Sequence, residues 1–355
     1  MSFHQDLENM TRDMHDKSLE VEYMQKTPVL NLIMERKNLK FKGGKLYYKE
    51  LDTDTTEDLA QDYTVNEPLT HGTKDTTKRA FFSRKTFQIP LQIDLDEELQ
   101  NALDSQDGTQ LHDLAAFKVR KTNEAGRLHL RKLFYAGANA DFLGTDGNKY
   151  VQGLNSALTV DGTYGTLARS KSAGTNDWWQ QAGNIYTTTT QGTTEYSISI
   201  DWLQSVVDPL TDLENGNGEL VVIVGNTLWL ALQSEAQARS MPVKVDPNGK
   251  YKFGIQEMII GNMRIIKDPF LQSKYNADMG ETTGAAHALE RRLYVLNTKD
   301  WEFMVHPKRN FEMIPFFDQK QVAGGSDFKM ARLLFAGNLI CWHPNRSLYL
   351  ANVAA

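Results

Sequence analysis

With one cysteine, Cys341, in 355 residues, the chain can form no internal disulfide and gives no sign of an oxidising compartment. Long apolar runs are missing as well. The longest, five residues as at Leu220 to Val224, fall far short of the ~20 residues that a membrane-crossing helix needs. Positive charge is not in excess: 39 Lys and Arg face 45 Asp and Glu, a formal net charge of −6, so the chain as a whole is no grip for a polyanion. The opening residues, Met1-Ser2-Phe3-His4-Gln5-Asp6-Leu7-Glu8, have neither a basic n-region nor an apolar h-region, which argues against a secretory leader. The eight histidines are scattered with no HxH, HExxH or HxxxH pair, so the usual local geometry of a histidine metal site is absent.

What is present reads as a folded chain, since 40% apolar and 24% charged residues are enough for a core and too apolar for disorder. Residues 1–39 read as helical and charged, with Leu7, Met10, Met14, Leu19 and Tyr23 at roughly helical spacing and a break at Thr27-Pro28. Between Leu39 and Phe87 large apolar residues are few, and Asp52-Thr53-Asp54-Thr55-Thr56-Glu57-Asp58 has almost nothing to bury. This predicts a long two-stranded arm, or a loop ordered by a partner. Two strands of ~20 residues would reach roughly 65 Å, beyond the radius of the domain that carries them.

Phe87, Ile89, Leu91, Ile93 and Leu95 alternate with polar residues as a strand does, and Pro90 places that strand at an edge. A long helix is expected from Gln110 to about Ala140, its apolar stripe weakening at Asn123 to Gly126, where a kink would fall. Tyr196, Ile198 and Ile200 alternate before a helix at Trp202 to Leu213. Leu220 to Val224 reads as a fully buried strand, with Asn226 or Thr227 capping a helix to Arg239. Further strands are expected at Met258–Ile266, Arg292–Leu296, Glu302–His306 and Phe311–Phe317. A closing hairpin is expected at Lys329–Phe335 and Leu339–Trp342 around Ala336-Gly337-Asn338, then a last strand at Ser347–Val353.

Chemistry is hard to find. No GxxxxGK[ST], GxGxxG or GxSxG occurs. Cys341 and His343 lie two apart, which reads better as a buried thiol beside a turn histidine than as a metal pair.

One stretch carries a pattern. Gly153-Leu154 is followed by Asp161-Gly162-Thr163-Tyr164-Gly165-Thr166-Leu167-Ala168-Arg169 and then Trp178-Trp179. Further on come Met313-Ile314-Pro315-Phe316 and Gly337-Asn338-Leu339-Ile340-Cys341-Trp342-His343-Pro344. In this order, over roughly residues 80–353, these segments resemble the major capsid proteins of tailed bacteriophages, whose fold is shared with encapsulins and herpesvirus capsid floors. The resemblance implies an α+β fold with an N-terminal arm (1–39), a long two-stranded extended loop (40–90) and a peripheral domain (91–214) holding a spine helix at about 108–140. A mixed axial domain (215–325) and return strands to the peripheral domain (326–355) complete it. Gly43, Gly44, Gly153, Leu154, Gly162, Tyr164, Gly165, Arg169, Trp178, Trp179, Pro315, Gly337 and Asn338 are the residues expected to carry fold and assembly.

The resemblance further implies a head protein, not an enzyme, that assembles as pentamers and hexamers into an icosahedral shell. The shell would enclose double-stranded DNA without reading its sequence. A scaffolding protein, a portal and decoration proteins are the implied partners; no cofactor, metal, catalytic residue or membrane is implied, and the place is the virion, assembled in a bacterial cytoplasm. The pattern is departed from at Thr166, where glycine is expected, and the ~100-residue scaffold-like prodomain of some members is not seen before the arm. Three other readings remain: an encapsulin-like shell around protein cargo, a tail or portal component, and a hydrolase with an unrecognised site.

Overall fold

The computed structural model describes residues 28, 38–40, 46–52, 77–94, 114–135, 150–159, 161–170, 176–182, 195–213, 220–239, 257–260, 263–279, 281–285, 288–318 and 328–354. Gly43, Gly44, most of the expected arm and the acidic stretch after Asp52 lie outside these residues. Pro28 is an exception within the arm. It is helical and buried, and its neighbours, including the expected break at Thr27, lie outside the described residues.

Two five-stranded sheets organise the chain. The first runs β1 (Asn38–Lys40), β12 (Trp301–Val305), β14 (Phe328–Cys341), β13 (Glu312–Asp318), with β4 (Lys85–Asp94) paired to β14. β14 is 14 residues long and unbroken, so the expected closing hairpin is a single strand. Its first part pairs with β13, its last part with β12, and β4 lies along the other side from Phe328 to Gly337. The Gly337-Asn338 signal marks a close approach instead of a turn. A Cβ at Gly337 would lie 2.6 Å from the Met304 carbonyl oxygen, which only glycine permits. β4 pairs with β14 alone among the described strands, consistent with Pro90 at an edge.

The long helix α1 (Leu114–Tyr135) packs on β4 and β14. It is continuous through Asn123 to Gly126, where a kink was expected. At Gly126 the helix lies tight against the sheet: a Cβ there would meet Ile89 Cδ1 and Leu333 Cδ2, each at 3.2 Å. Around it Phe335 stacks on Phe87 (4.9 Å) and lies 4.9 Å from Phe311 and 5.9 Å from Phe303, between ring centroids.

The second sheet runs β15 (Leu348–Leu350), β11 (Leu293–Asn297), β8 (Leu220–Val224), β10 (Met263–Lys267), β9 (Glu257–Ile260). Its central strands are buried on both faces, and the period of two assigns their side chains to different cores. Val221 and Ile223 of β8, with Tyr294 and Leu296 of β11, join the core shared with α1. Val222, Val224, Leu293 and Val295 join a second core under α3 (Ile200–Leu213) and α4 (Asn226–Ala238). Hence the uninterrupted apolar run at Leu220.

Several local expectations are corrected. Ile200 opens α3 instead of closing a strand, because the Ser199 hydroxyl accepts the Trp202 amide (3.1 Å) as a helix cap does; the strand β7 keeps only Tyr196–Ser197. α4 is capped by Gly225, not by Asn226 or Thr227, since a Cβ there would lie 2.2 Å from the Leu271 carbonyl oxygen. Met258–Ile266 is a hairpin of β9 and β10, and Ser347–Val353 divides into β15 and β16 (Val353–Ala354) at Asn352, whose φ is 61°.

The expected arm begins as a real ladder. β2 (Leu46–Asp52) and β3 (Thr77–Ser83) pair antiparallel over seven residues each, from Leu46↔Ser83 to Asp52↔Thr77. Few as its large apolar residues are, the ladder belongs to the core: Leu51, Ala80 and Phe82 are buried.

Candidate functional site

For a chain with no catalytic pattern, the positions of interest are those that fix one element on another. Two such junctions involve the long helix or the hairpin among the described residues.

The first seats the β2–β3 hairpin. β5 (Gly162–Tyr164) and β6 (Leu167–Arg169) form a small ladder turned by Gly165 (φ 57°) and Thr166 (φ 68°). Two consecutive positive φ values make a type I′ turn, which matches the twist of the strands it joins. Gly165 is obligatory, because a Cβ would sit 2.7 Å from the Phe82 ring. Its carbonyl accepts the Phe81 amide at 2.8 Å, so the turn holds the hairpin root directly. Phe82 in turn meets Tyr164 edge-on (5.1 Å) and Trp342 edge-on (5.6 Å).

Arg169 lies beneath the turn, 3% exposed. Its Nη1 donates to the carbonyls of Ala157 (2.7 Å) and Trp179 (3.4 Å), and its Nη2 donates to the Ser156 carbonyl and the Thr159 hydroxyl. Burial lowers its pKa to about 10, and the guanidinium stays charged at neutral pH. Trp179 is fully buried and donates Nε1 to the Tyr164 carbonyl at 2.9 Å, while the Tyr164 hydroxyl accepts the Cys341 amide at 2.8 Å. Asn338 donates Nδ2 to the Ser83 carbonyl (3.1 Å) and to Gln152 Oε1 (3.2 Å), tying β14 to the hairpin and to the segment before α2 (Leu154–Ala157).

Of the expected residues, the structure therefore gathers Tyr164, Gly165, Arg169, Trp179, Gly337 and Asn338 around one root. Trp178 is half-buried with its ring 5.4 Å from that of Trp179. Gly162 (φ 100°) serves conformation alone, with open space where a Cβ would be. Gly153 and Leu154 instead face the end of α1, where a Gly153 Cβ would lie 2.3 Å from the Leu133 carbonyl oxygen. Pro315 is exposed on β13, beside the register shift between Ile314 and Phe317.

The second junction joins the C-terminal end of α1 to the second sheet, and no sequence motif announced it. The Tyr135 hydroxyl donates to the buried carboxylate of Asp268, which also accepts the Phe270 amide at 2.8 Å. The Tyr135 carbonyl accepts from Arg292 Nη1 (3.1 Å) and Asn155 Nδ2 (3.3 Å). Arg292 is paired with Glu281 at 2.7 Å, and Arg131 lies 4.5 Å over the Phe270 ring. Burial raises the pKa of Asp268, against the hydrogen bonds from Tyr135 and Phe270 and the nearby Arg131. The residues come from the end of α1, from Asn155 and from the span between Asp268 and Arg292, more than 100 positions further on, so local spacing holds no trace of the group.

Neither junction offers reactive chemistry. Burial pushes the Cys341 thiol up, away from the thiolate a nucleophile needs. His343, the other half of the pair weighed for a metal, places Nδ1 2.9 Å from Asp300 Oδ1 instead. Among the described residues no cluster of three His, Cys, Asp or Glu could hold a metal, and no helix is long and apolar enough to cross a membrane.

No family model and no curated protein matches the chain. Solved structures do. The chain is similar to the capsid asymmetric unit of cyanophage A-1(L), with 12% identity, a TM-score of 0.62 and 93% of each chain covered. It is similar also to the holo-SrpI encapsulin complex from Synechococcus elongatus PCC 7942, with 10% identity, a TM-score of 0.51, and 91% of this chain and 87% of that one covered. The chain thus has the α+β fold of tailed-phage major capsid proteins, which encapsulins share.

Proposed function

We propose that the chain is the repeating subunit of a phage head: a major capsid protein that assembles as pentamers and hexamers into an icosahedral shell around double-stranded DNA. One observation carries the reading, namely a fold that matches a phage capsid subunit along 93% of its length. The two junctions support it, because a shell subunit must hold its protruding elements rigidly on a packed body. The subunit is not an enzyme in this reading and takes no cofactor.

The parts then have the following roles. The β2–β3 hairpin is the root of an extended loop that crosses to a neighbour. The first sheet and α1 form the peripheral body. The second sheet with α3 and α4 is the axial unit that meets its copies at the ring centre. In this division β12 and β13 leave the expected axial span 215–325 for the first sheet, and α3 leaves the expected peripheral span 91–214 for the second core. Each contact between copies is modest, and a closed lattice multiplies them. A scaffolding protein, a portal and decoration proteins are the expected partners in a virion made in the bacterial cytoplasm, and the shell wall encloses DNA without sequence-specific contacts. The similarity to an encapsulin favours a second reading, a shell around protein cargo.

Negative-stain microscopy with sedimentation of the purified chain, with and without a co-expressed scaffold, tests both. Icosahedral shells, or rings of five and six that convert to them, are expected. A monomer or small oligomer under every condition overturns the shell reading, and shells purified from cells with protein inside but no nucleic acid favour the second.

A further inference from the structure

The antiparallel part of the first sheet, β4 with β14 and β13, carries apolar residues on both faces, where a face left in water calls for polar ones. Toward α1 it turns Leu91, Ala331, Leu333, Phe335 and Met313, all in the core. The period of two sends the alternate residues the other way. Across the strands these form two rows, Gln88–Leu334–Glu312 and Pro90–Arg332–Ile314, with Met330 beside them on β14. Ile314 is 37% exposed, Gln88 and Pro90 are exposed, and Met330 and Leu334 are half-buried. Arg332 Nη2 donates to Met330 Sδ at 3.6 Å, which lays the guanidinium along the patch.

The edges of this sheet are closed to a further strand. The Gln92 carbonyl accepts Lys118 Nζ at 3.0 Å, so Gln88, Pro90 and Gln92 hold the outward backbone positions of β4. Pro90 has no amide to offer there, and Lys118 already takes the Gln92 carbonyl. On β13 the register shift between Ile314 and Phe317, with Pro315 inside it, breaks the outer ladder likewise. A partner therefore meets the face.

The two charges of the patch, Arg332 and Glu312, cancel, so neither a polyanion nor a strongly basic protein finds a field to bind. The area is small as well. Three strands ~4.8 Å apart, followed for about eight residues at ~3.3 Å each, give roughly 350–400 Å². Each partner in a stable two-body complex buries about 800 Å². A contact of half that size serves where many copies repeat it around a closed lattice.

We propose that the outward face of the first sheet, centred on Arg332 and Ile314, is a contact surface for a second copy of the chain. The inference rests on the shell reading and assigns one of the contacts which that reading needs.

The test places photo-reactive benzoylphenylalanine at Gln88, beside Leu334, in a mixture of heavy and light full-length chains. After irradiation, adducts joining heavy to light chains are expected in assembled particles and not in dissociated chains. The variant Ile314→Glu sets a second carboxylate near Glu312 and would bury it unpaired, so the yield of particles should fall about tenfold. Its melting temperature should stay close to that of the parent, as for other surface changes. Ile314→Val keeps the patch apolar and should assemble as the parent does. Particles that form but cross-link only within one chain, onto another molecule, or not at all overturn the proposal and leave the shell reading standing. So does a full yield of particles from Ile314→Glu. A chain that forms no particles under any condition overturns both.

Discussion

Thr166 occupies a place where its backbone is strained. A β-branched residue at φ 68° pays a steric cost of roughly 1–2 kcal/mol that glycine does not. Its hydroxyl contact with the Gly165 carbonyl (2.6 Å) recovers only part of that. Thr166→Gly is therefore expected to raise stability by about 1 kcal/mol, measured as a shift in urea midpoint. Arg169 is the opposite case, with its guanidinium ordering the carbonyls of Ser156, Ala157 and Trp179. Arg169→Ala leaves buried acceptors without their donor and should cost on the order of 3 kcal/mol. Arg169→Lys should recover little, because one ammonium cannot reproduce the planar fork.

Asp268 supplies a pH dependence. Its folded pKa stands above the unfolded value of 3.8, so the folded state holds the proton longer. The contribution of this group to stability is full below that value and is lost as pH rises through the folded pKa. Asp268→Asn can still accept from Tyr135 or Phe270 without a buried charge. Its stability relative to the parent should improve as pH is raised from 4 to 7, in denaturant titrations at several pH values. A difference that stays constant across that range would show that burial does not dominate this carboxylate.

Among the elements, α1 shows why glycine in a helix has two readings. Gly126 reads in sequence as a weak point, yet the helix runs unbroken through it and uses the missing side chain to approach Ile89 and Leu333. Gly126→Val should push the helix off the sheet and cost roughly 1–3 kcal/mol as overpacked cores do. Gly126→Ala sets a helix-propensity gain of about 1 kcal/mol against a contact only slightly too close, and should be near neutral. Thermal melts of both variants check the pair. The same ambiguity misled the reading of β14, where Gly337-Asn338 has the composition of a turn but serves a close strand crossing and the Asn338 hydrogen bonds. Strands with clear alternation, such as β4, and the fully apolar β8 were legible because their burial follows directly from side-chain period.

At the scale of the whole molecule, the hairpin root is part of the subunit's own core while residues 53–76 lie beyond it in sequence. Replacing residues 55–74 with a short turn should shift Tm by only a few degrees, because Leu51, Ala80 and Phe82 stay buried. The same change should abolish closed shells in the microscope if the loop crosses to neighbours. A loss of folding with the deletion would mean that the loop serves its own subunit.

The sequence by itself determined the fold class, because the ordered Gly-Leu, Gly-Thr-Tyr-Gly and Trp-Trp segments that carry the resemblance are local in the chain. It also determined the elements whose hydrophobic period is long and regular. The tertiary structure alone decided which of those elements meet. Tyr135 meets Asp268 and Arg292 across 133 and 157 positions, and no spacing rule links residues so far apart. It alone decided, too, that two glycines with the look of breaks were points of contact. A glycine signals that a side chain is missing, and only the packed neighbours show whether a bend or another backbone fills the space.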